Sequence, residues 1–213
     1  MVPLARLTTI LIAIDLALVA LYVVHVFLGS WPGLLSLDGE GNFGAWWGGA
    51  KLFLAAAAVA IVPLFAPERM AVGITLYLVL AIGLAFLSAD EILMLHERIT
   101  SWNKANGIGL PMFRGTNGAW VFVYLTLFAI LFLALYRSIF IAAKADIKSA
   151  ALVGAGFAVL ISGGVIAEVL GYYGFLGGMS SPPQVLVEEG LELVGVSILL
   201  LGCIHHAGLS LRS

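Results

Sequence analysis

The chain has 213 residues, of which 62% are hydrophobic and 10% are Asp, Glu, Lys or Arg, and its mean hydropathy is +1.11. An average soluble domain carries about 25% charged residues, so a soluble single domain is excluded; this much apolar surface has to face lipid, and an all-α multipass membrane protein is expected, a single transmembrane domain over residues 1–213. The net charge of −2 leaves no broad basic surface for nucleic acid, and the one cysteine, Cys203, cannot form an intramolecular disulfide.

In chain order, apolar runs of about twenty residues predict six membrane-spanning helices, over 7–28, 45–66, 70–91, 119–140, 149–170 and 185–206. The first is too long for a signal peptide, whose apolar region runs about 7–15 residues, and no small-residue cleavage region follows it. Loop chemistry separates the spans: Ser30-Trp31-Pro32-Gly33, Ala66-Pro67-Glu68-Arg69, the stretch from Thr100 to Gly118, the charged segment Lys144 to Lys148, and Gly177 to Pro183. Ala55 to Ala60 and Val121 to Tyr136 lack the alternation of a membrane barrel.

With a cytoplasmic N-terminus, six bases fall on the inner side (Arg6, Arg69, Arg137, Lys144, Lys148, Arg212) and four on the outer side (Lys51, Arg98, Lys104, Arg114). That is a positive-inside bias, and it places both termini in the cytoplasm. Trp31, Trp46, Trp47, Trp102 and Trp120 then gather at the outer interface as an aromatic belt.

On this topology nine acids meet only four bases on the outer side: Asp38, Glu40, Asp90, Glu91, Glu97, Glu168, Glu188, Glu189 and Glu192. Glu188, Glu189 and Glu192 lie about 5–10 Å below the outer boundary of the sixth span, with Glu168 and His25 shallower on the fifth and first. An ionised group inside a span costs about 2.5–3.5 kcal/mol even on the lenient insertion scale. So many carboxylates cannot all stay charged and unpaired; they should face the bundle interior and one another.

Helical phase selects among them. Glu188, Glu189 and Glu192 share an arc of about 100° and can address one site. Asp90 and Glu97, seven residues apart, lie about 20° from alignment, whereas Glu91 and His96 point to other sides; His96 joins only if the helix unwinds near its end. Glu168 stands among Gly163, Gly164 and Gly171, which favour close helix packing. The expected metal ligands are therefore Glu188, Glu189, Glu192, Asp90, Glu97, Glu168, His25 and His96.

Deeper in the bundle, Asp15 has no base at its depth and is expected to bond the Ser197 hydroxyl. Lys51, the one base within a span, is expected to pair with Glu192 and form the floor of the cluster. His205 and His206 read as polar ends reaching the inner interface, and Cys203 as a small buried apolar residue. Gly39-Glu40-Gly41-Asn42 and Gly107-Ile108-Gly109 lack the strand and helix of a phosphate-binding turn.

The segments Asp38-Gly39-Glu40-Gly41-Asn42 with Trp46-Trp47, Phe86 to Glu91 followed by His96-Glu97, and Glu188-Glu189-Gly190-Leu191-Glu192 with Gly195 resemble a group of uncharacterised prokaryotic multipass membrane proteins. The resemblance runs over most of the chain and implies a six-helix architecture in the plasma membrane of a prokaryote. It supplies no activity.

Function is therefore argued from the cluster. The leading expectation is a cation or metal site: oxygen ligands suit Ca²⁺, Mg²⁺ or Mn²⁺, and an added imidazole admits Fe or Zn. A metal-dependent membrane oxidoreductase would extend it, but the Glu-x-x-His pairs of ferritin-like dimetal bundles are absent, residue 94 being Met. A proton or cation transporter using Asp15 as a relay is one alternative. A noncatalytic subunit of a larger membrane complex is another. Besides the lipid bilayer, the candidate partners are a second copy of the chain or other membrane subunits.

Overall fold

The computed structural model describes residues 4–29, 36–37, 41–65, 73–113 and 118–210. Asp38, Glu40, Trp31, Arg69, Arg114 and Arg212, with the loop expected at Ala66 to Arg69, lie outside these residues. The helices are α1 (Leu4–Leu28), α2 (Phe43–Phe65), α3 (Ile74–Leu93), α4 (Leu95–Asn106), α5 (Ala119–Ala145), α6 (Ile147–Tyr172) and α7 (Pro182–Ser210). No strand occurs among the described residues.

Five helices, α1, α2, α3, α5 and α6, are long and apolar enough to cross a membrane. A further helix, α4, occupies the start of what reads as a loop in the sequence. It is polar and only 12 residues long, so an apolar-run search passes over it. Its ends are set by backbone chirality: Met94 (φ 56°, ψ 42°) separates it from α3, and Gly107 (φ 58°) closes it. A left-handed residue at each end stops the hydrogen-bond ladder. Asn103 then bonds the Leu110 backbone in both directions, at 3.1 and 3.3 Å, and folds the following chain back.

The charged segment Lys144 to Lys148, expected between the fourth and fifth spans, shrinks to one residue between α5 and α6, Asp146, which caps α6 by accepting from Ser149 N at 3.1 Å. Within α6, residues Ser162–Ala167 widen into a π-helical turn. The local cause is chemical: Ser162 Oγ donates back to the Ala158 carbonyl at 2.7 Å, and two glycines with low helix propensity follow. Helix α7 opens on Pro182-Pro183, where no intrahelical N–H donor is needed.

Helix α7 is the axis of the bundle, packed against α1, α2 and α6. Its Leu193, Val196, Leu199, Leu200, Leu201 and Cys203 are buried. Glycines bring α6 and α7 together: a methyl on Gly156 would fall 2.5 Å from Leu199 N, and one on Gly195 2.5 Å from Leu160 N. At the periphery, α5 exposes Leu127, Phe128, Ile130, Phe132 and Leu133.

Candidate functional site

Near its N-terminal end, α7 carries the acids into the space between α6 and the α2–α3 pair. One oxygen each from Glu91, Glu189 and Glu192 lies within 4.8 Å of the others, and all three residues are partly buried. Glu91 comes from the last turn of α3. It fits because α2 presents glycine there: a methyl on Gly48 would sit 3.0 Å from Glu91 Oε1. One turn back, Ser88 Oγ donates to Gly49 O at 2.7 Å and fixes the two helices at that spacing. Glu192 lies along the π-helical turn of α6, against Gly163 and Gly164, with Glu91, Glu189, Glu188 and Glu168 as its acidic neighbours.

The other acids form a second group beside the first. Buried Asp90 accepts from the Tyr124 hydroxyl at 3.0 Å and from His96 N at 2.8 Å, and its Oδ2 is 3.3 Å from His96 Nδ1. The break at Met94 turns His96 back onto Asp90, beside the Trp120 ring (centroids 5.2 Å apart). Buried Glu168 accepts from the Trp120 indole and has His96 and Glu97 nearby. Glu188 accepts from the Gln184 amide, with Glu168 and His96 nearby.

The eight residues singled out in the sequence are thus distributed. Glu189 and Glu192 converge with Glu91; Glu188 and Glu168 neighbour Glu192; His96 bonds Asp90 and lies near Glu168 and Glu188; Glu97 is exposed in the first turn of α4. The Asp90–Glu97 alignment presupposes a continuous helix, which ends at Met94. His25 lines a cavity of about 300 Å³ with Tyr22, Ser36, Ser180 and Pro182. Its Nδ1 has no hydrogen-bond partner among the described residues. Sequence reasoning missed Glu91 because ideal phase set it apart from Asp90; the signal that could have found it is the Gly48-Gly49 pair on the neighbouring helix.

Directly inward lies an ion pair that the sequence reading assigned differently. Lys51 Nζ donates to Asp15 Oδ1 at 2.8 Å, to Leu193 O at 2.7 Å and to Ser197 Oγ at 3.0 Å. Asp15 also accepts from Ser197 Oγ (2.5 Å) and from Trp47 Nε1 (2.9 Å), and neither member of the pair is exposed. The expected Lys51–Glu192 pair is therefore replaced by Lys51–Asp15. Equal depth of backbone atoms is a poor guide for a lysine, whose long stem carries the ammonium to a different level. Ser197 does bond Asp15, as expected, but a base is present at that depth. Trp47 turns its indole N–H inward to Asp15, whereas Trp46 and Trp102 are exposed.

At the opposite end of α7, His205 and His206 are tied into the bundle rather than reaching outward. His206 Nδ1 is 3.0 Å from Asp146 Oδ2, its Nε2 is 3.1 Å from the Tyr77 hydroxyl, and Ser149 Oγ is 2.8 Å from His205 Nδ1. Burial alone would raise the Asp146 carboxyl; hydrogen bonds from Ser149 and His206, with the charge interaction with His206, outweigh it and hold it below its usual range.

No curated protein and no solved structure matches the chain. A family model described as "Domain of unknown function (DUF8692)" covers residues 5–207, nearly all of the helical framework and every acid of the cluster. The chain belongs to that family.

Proposed function

We propose that this protein crosses the plasma membrane of a prokaryote six times, with both termini in the cytoplasm, and that Glu91, Glu189 and Glu192 form a metal or other cation site near the outer ends of its helices. The observation that carries the reading is the convergence of three carboxylate oxygens within 4.8 Å. Oxygens on opposite sides of a Ca²⁺ ion are about 4.6–5.2 Å apart, and adjacent ligands are closer, so this spread matches three ligands of one ion. Like charges so placed in a medium of low dielectric repel strongly, and a divalent ion among them turns that repulsion into attraction.

The neighbouring His96, held by Asp90, supports Mn, Fe or Zn as well as Ca, because a carboxylate-oriented imidazole is a common metal-ligand arrangement. With iron or manganese the site would serve a membrane oxidoreductase. Beneath it, the Lys51–Asp15–Ser197 network occupies the way inward, which favours a closed site over a transport path. The apolar stretch from Leu199 to Cys203 separates that network from His205 and His206.

Metal analysis of protein purified without chelators tests the reading. Near-stoichiometric metal is expected, sharply lowered by Glu91→Gln or Glu192→Gln and unchanged by Glu97→Gln. No metal as purified, and no uptake of added Mn²⁺, Fe²⁺, Zn²⁺ or Ca²⁺, would overturn it. For the topology, single cysteines at Gly41, Gly109 and Gly178 in a Cys203→Ser background should react with an impermeant thiol reagent in intact cells. Labelling only at Gly208→Cys would invert the orientation.

A further inference from the structure

We infer that the π-helical turn of α6 is the device that positions the Glu192 carboxylate, with Gly164 as its positioning residue. This inference rests on the cation-site reading above. Glu192 has acidic neighbours on three helices and supplies one of the three converging oxygens, so where its carboxylate lies decides whether they can converge. That place is set from α6. A methyl added at Gly164 would fall on Glu192 Oε1, closer than any normal contact, while its next neighbours, Glu192 Cδ at 3.6 Å and the Trp120 ring at 3.9 Å, are at ordinary van der Waals distance. The carboxylate therefore occupies the volume that a side chain at 164 would take.

The adjacent glycine behaves differently. A methyl at Gly163 would meet Glu188 O at 2.7 Å, Glu192 Cγ at 2.8 Å and Glu192 N at 3.0 Å. Two of these are backbone atoms of α7, which cannot yield without moving the helix, so Gly163 serves helix packing. At Gly164 the obstructed atom is the far end of a flexible side chain, which swings away at little cost to the fold. The π-helical turn makes the distinction by placing two successive glycines against α7, one on its backbone and one on its carboxylate. Wide turns of this kind recur at functional sites. Gly164 thus acts through Glu192 and has no side chain of its own to offer an ion.

The test is Mn²⁺ binding by equilibrium dialysis of the full chain in detergent, with the melting temperature of the metal-free protein recorded alongside. Gly164→Ala is expected to weaken Mn²⁺ binding by about tenfold or more while leaving the metal-free melting temperature unchanged. In a Glu192→Ala background the atom that the methyl would displace is gone, and Gly164→Ala should then cost less than about twofold. Gly163→Ala, in contrast, should lower the melting temperature. Equal losses of affinity in the two backgrounds, no loss in either, or a fall in melting temperature for Gly164→Ala as large as that for Gly163→Ala would overturn the inference. Failure of the unsubstituted protein to bind Mn²⁺, Fe²⁺, Zn²⁺ or Ca²⁺ would instead overturn the cation-site reading, and this inference with it.

Discussion

Two groups of ionisable side chains meet helix α7 within two turns of each other, and they solve the problem of charge in an apolar bundle in opposite ways. Around Ser197, Lys51 and Asp15 neutralise each other: the ammonium makes three hydrogen bonds and the carboxylate accepts three, with no exposure to solvent. Around Glu192, acids face acids, and three of their oxygens converge. A buried ion pair whose ammonium donors are all used and whose carboxylate accepts three bonds ties elements together, here α1, α2 and α7. Convergent like charges do the reverse: they cost free energy in the empty state and gain it when a cation arrives. The first group is a clasp, and the second is the arrangement on which the proposed cation site rests.

The sharpest way to break this contrast is to remove one member of the clasp. Lys51→Met leaves Asp15 charged and buried without its counter-ion, and a loss of about 3–5 kcal/mol is expected, read as a large drop in melting temperature in detergent. Lys51→Met with Asp15→Leu should recover much of the loss, whereas Lys51→Met with Glu192→Leu should not. Equal losses in all three would show that the ion pair is not what the bundle depends on. Trp47→Phe removes the indole N–H that Asp15 accepts together with part of a ring packed on the core, and a loss of at least about 1.5–3 kcal/mol is expected by the same measurement.

At the proposed cation site the expected effect on the metal-free protein is smaller. Glu91→Gln or Glu189→Gln removes one of the three converging carboxylates, and the metal-free melting temperature is expected to fall much less than for Lys51→Met. Added Mn²⁺ should raise the melting temperature of the unsubstituted protein and have less effect on either variant, since a ligand stabilises only the state that binds it. A large destabilisation of the metal-free protein by Glu91→Gln would place Glu91 in a structural clasp of its own.

The smallest effect concerns Asp146, whose carboxyl is held below its usual range by Ser149 and His206. A depressed carboxyl contributes stability above its unfolded value, about 3.9, and that contribution is lost as pH falls through the lower folded value. Melting temperature should therefore decline below about pH 4, and Asp146→Asn should be less stable near neutrality yet show a shallower acid decline. Parallel curves for the two proteins would remove Asp146 from the acid response.

Much of the framework was legible because hydrophobicity adds up locally. Long apolar runs mark α1, α2, α3, α5 and α6, and the Ser197–Asp15 contact follows from counting residues along two helices. Legibility ended where rotation or interruption of a helix decides. Glu91 looked misdirected on an ideal helix, yet Gly48 opens room for it. His96 reaches Asp90 because the chain breaks at Met94, a residue with no preference for the left-handed region to announce the break. Tyr77, His206 and Asp146 lie far apart in sequence, and no period links them.

The amino-acid sequence by itself determined the class of the protein and its long apolar helices. Both depend on the cost of exposing or burying each residue and on a constant rise along a helix. Tertiary structure alone decided which charges meet. Partner choice depends on azimuth, on side-chain reach, and on the close approaches that Gly48, Gly163 and Gly164 permit. For that reason Lys51 belongs to Asp15 and Glu192 to Glu91 and Glu189.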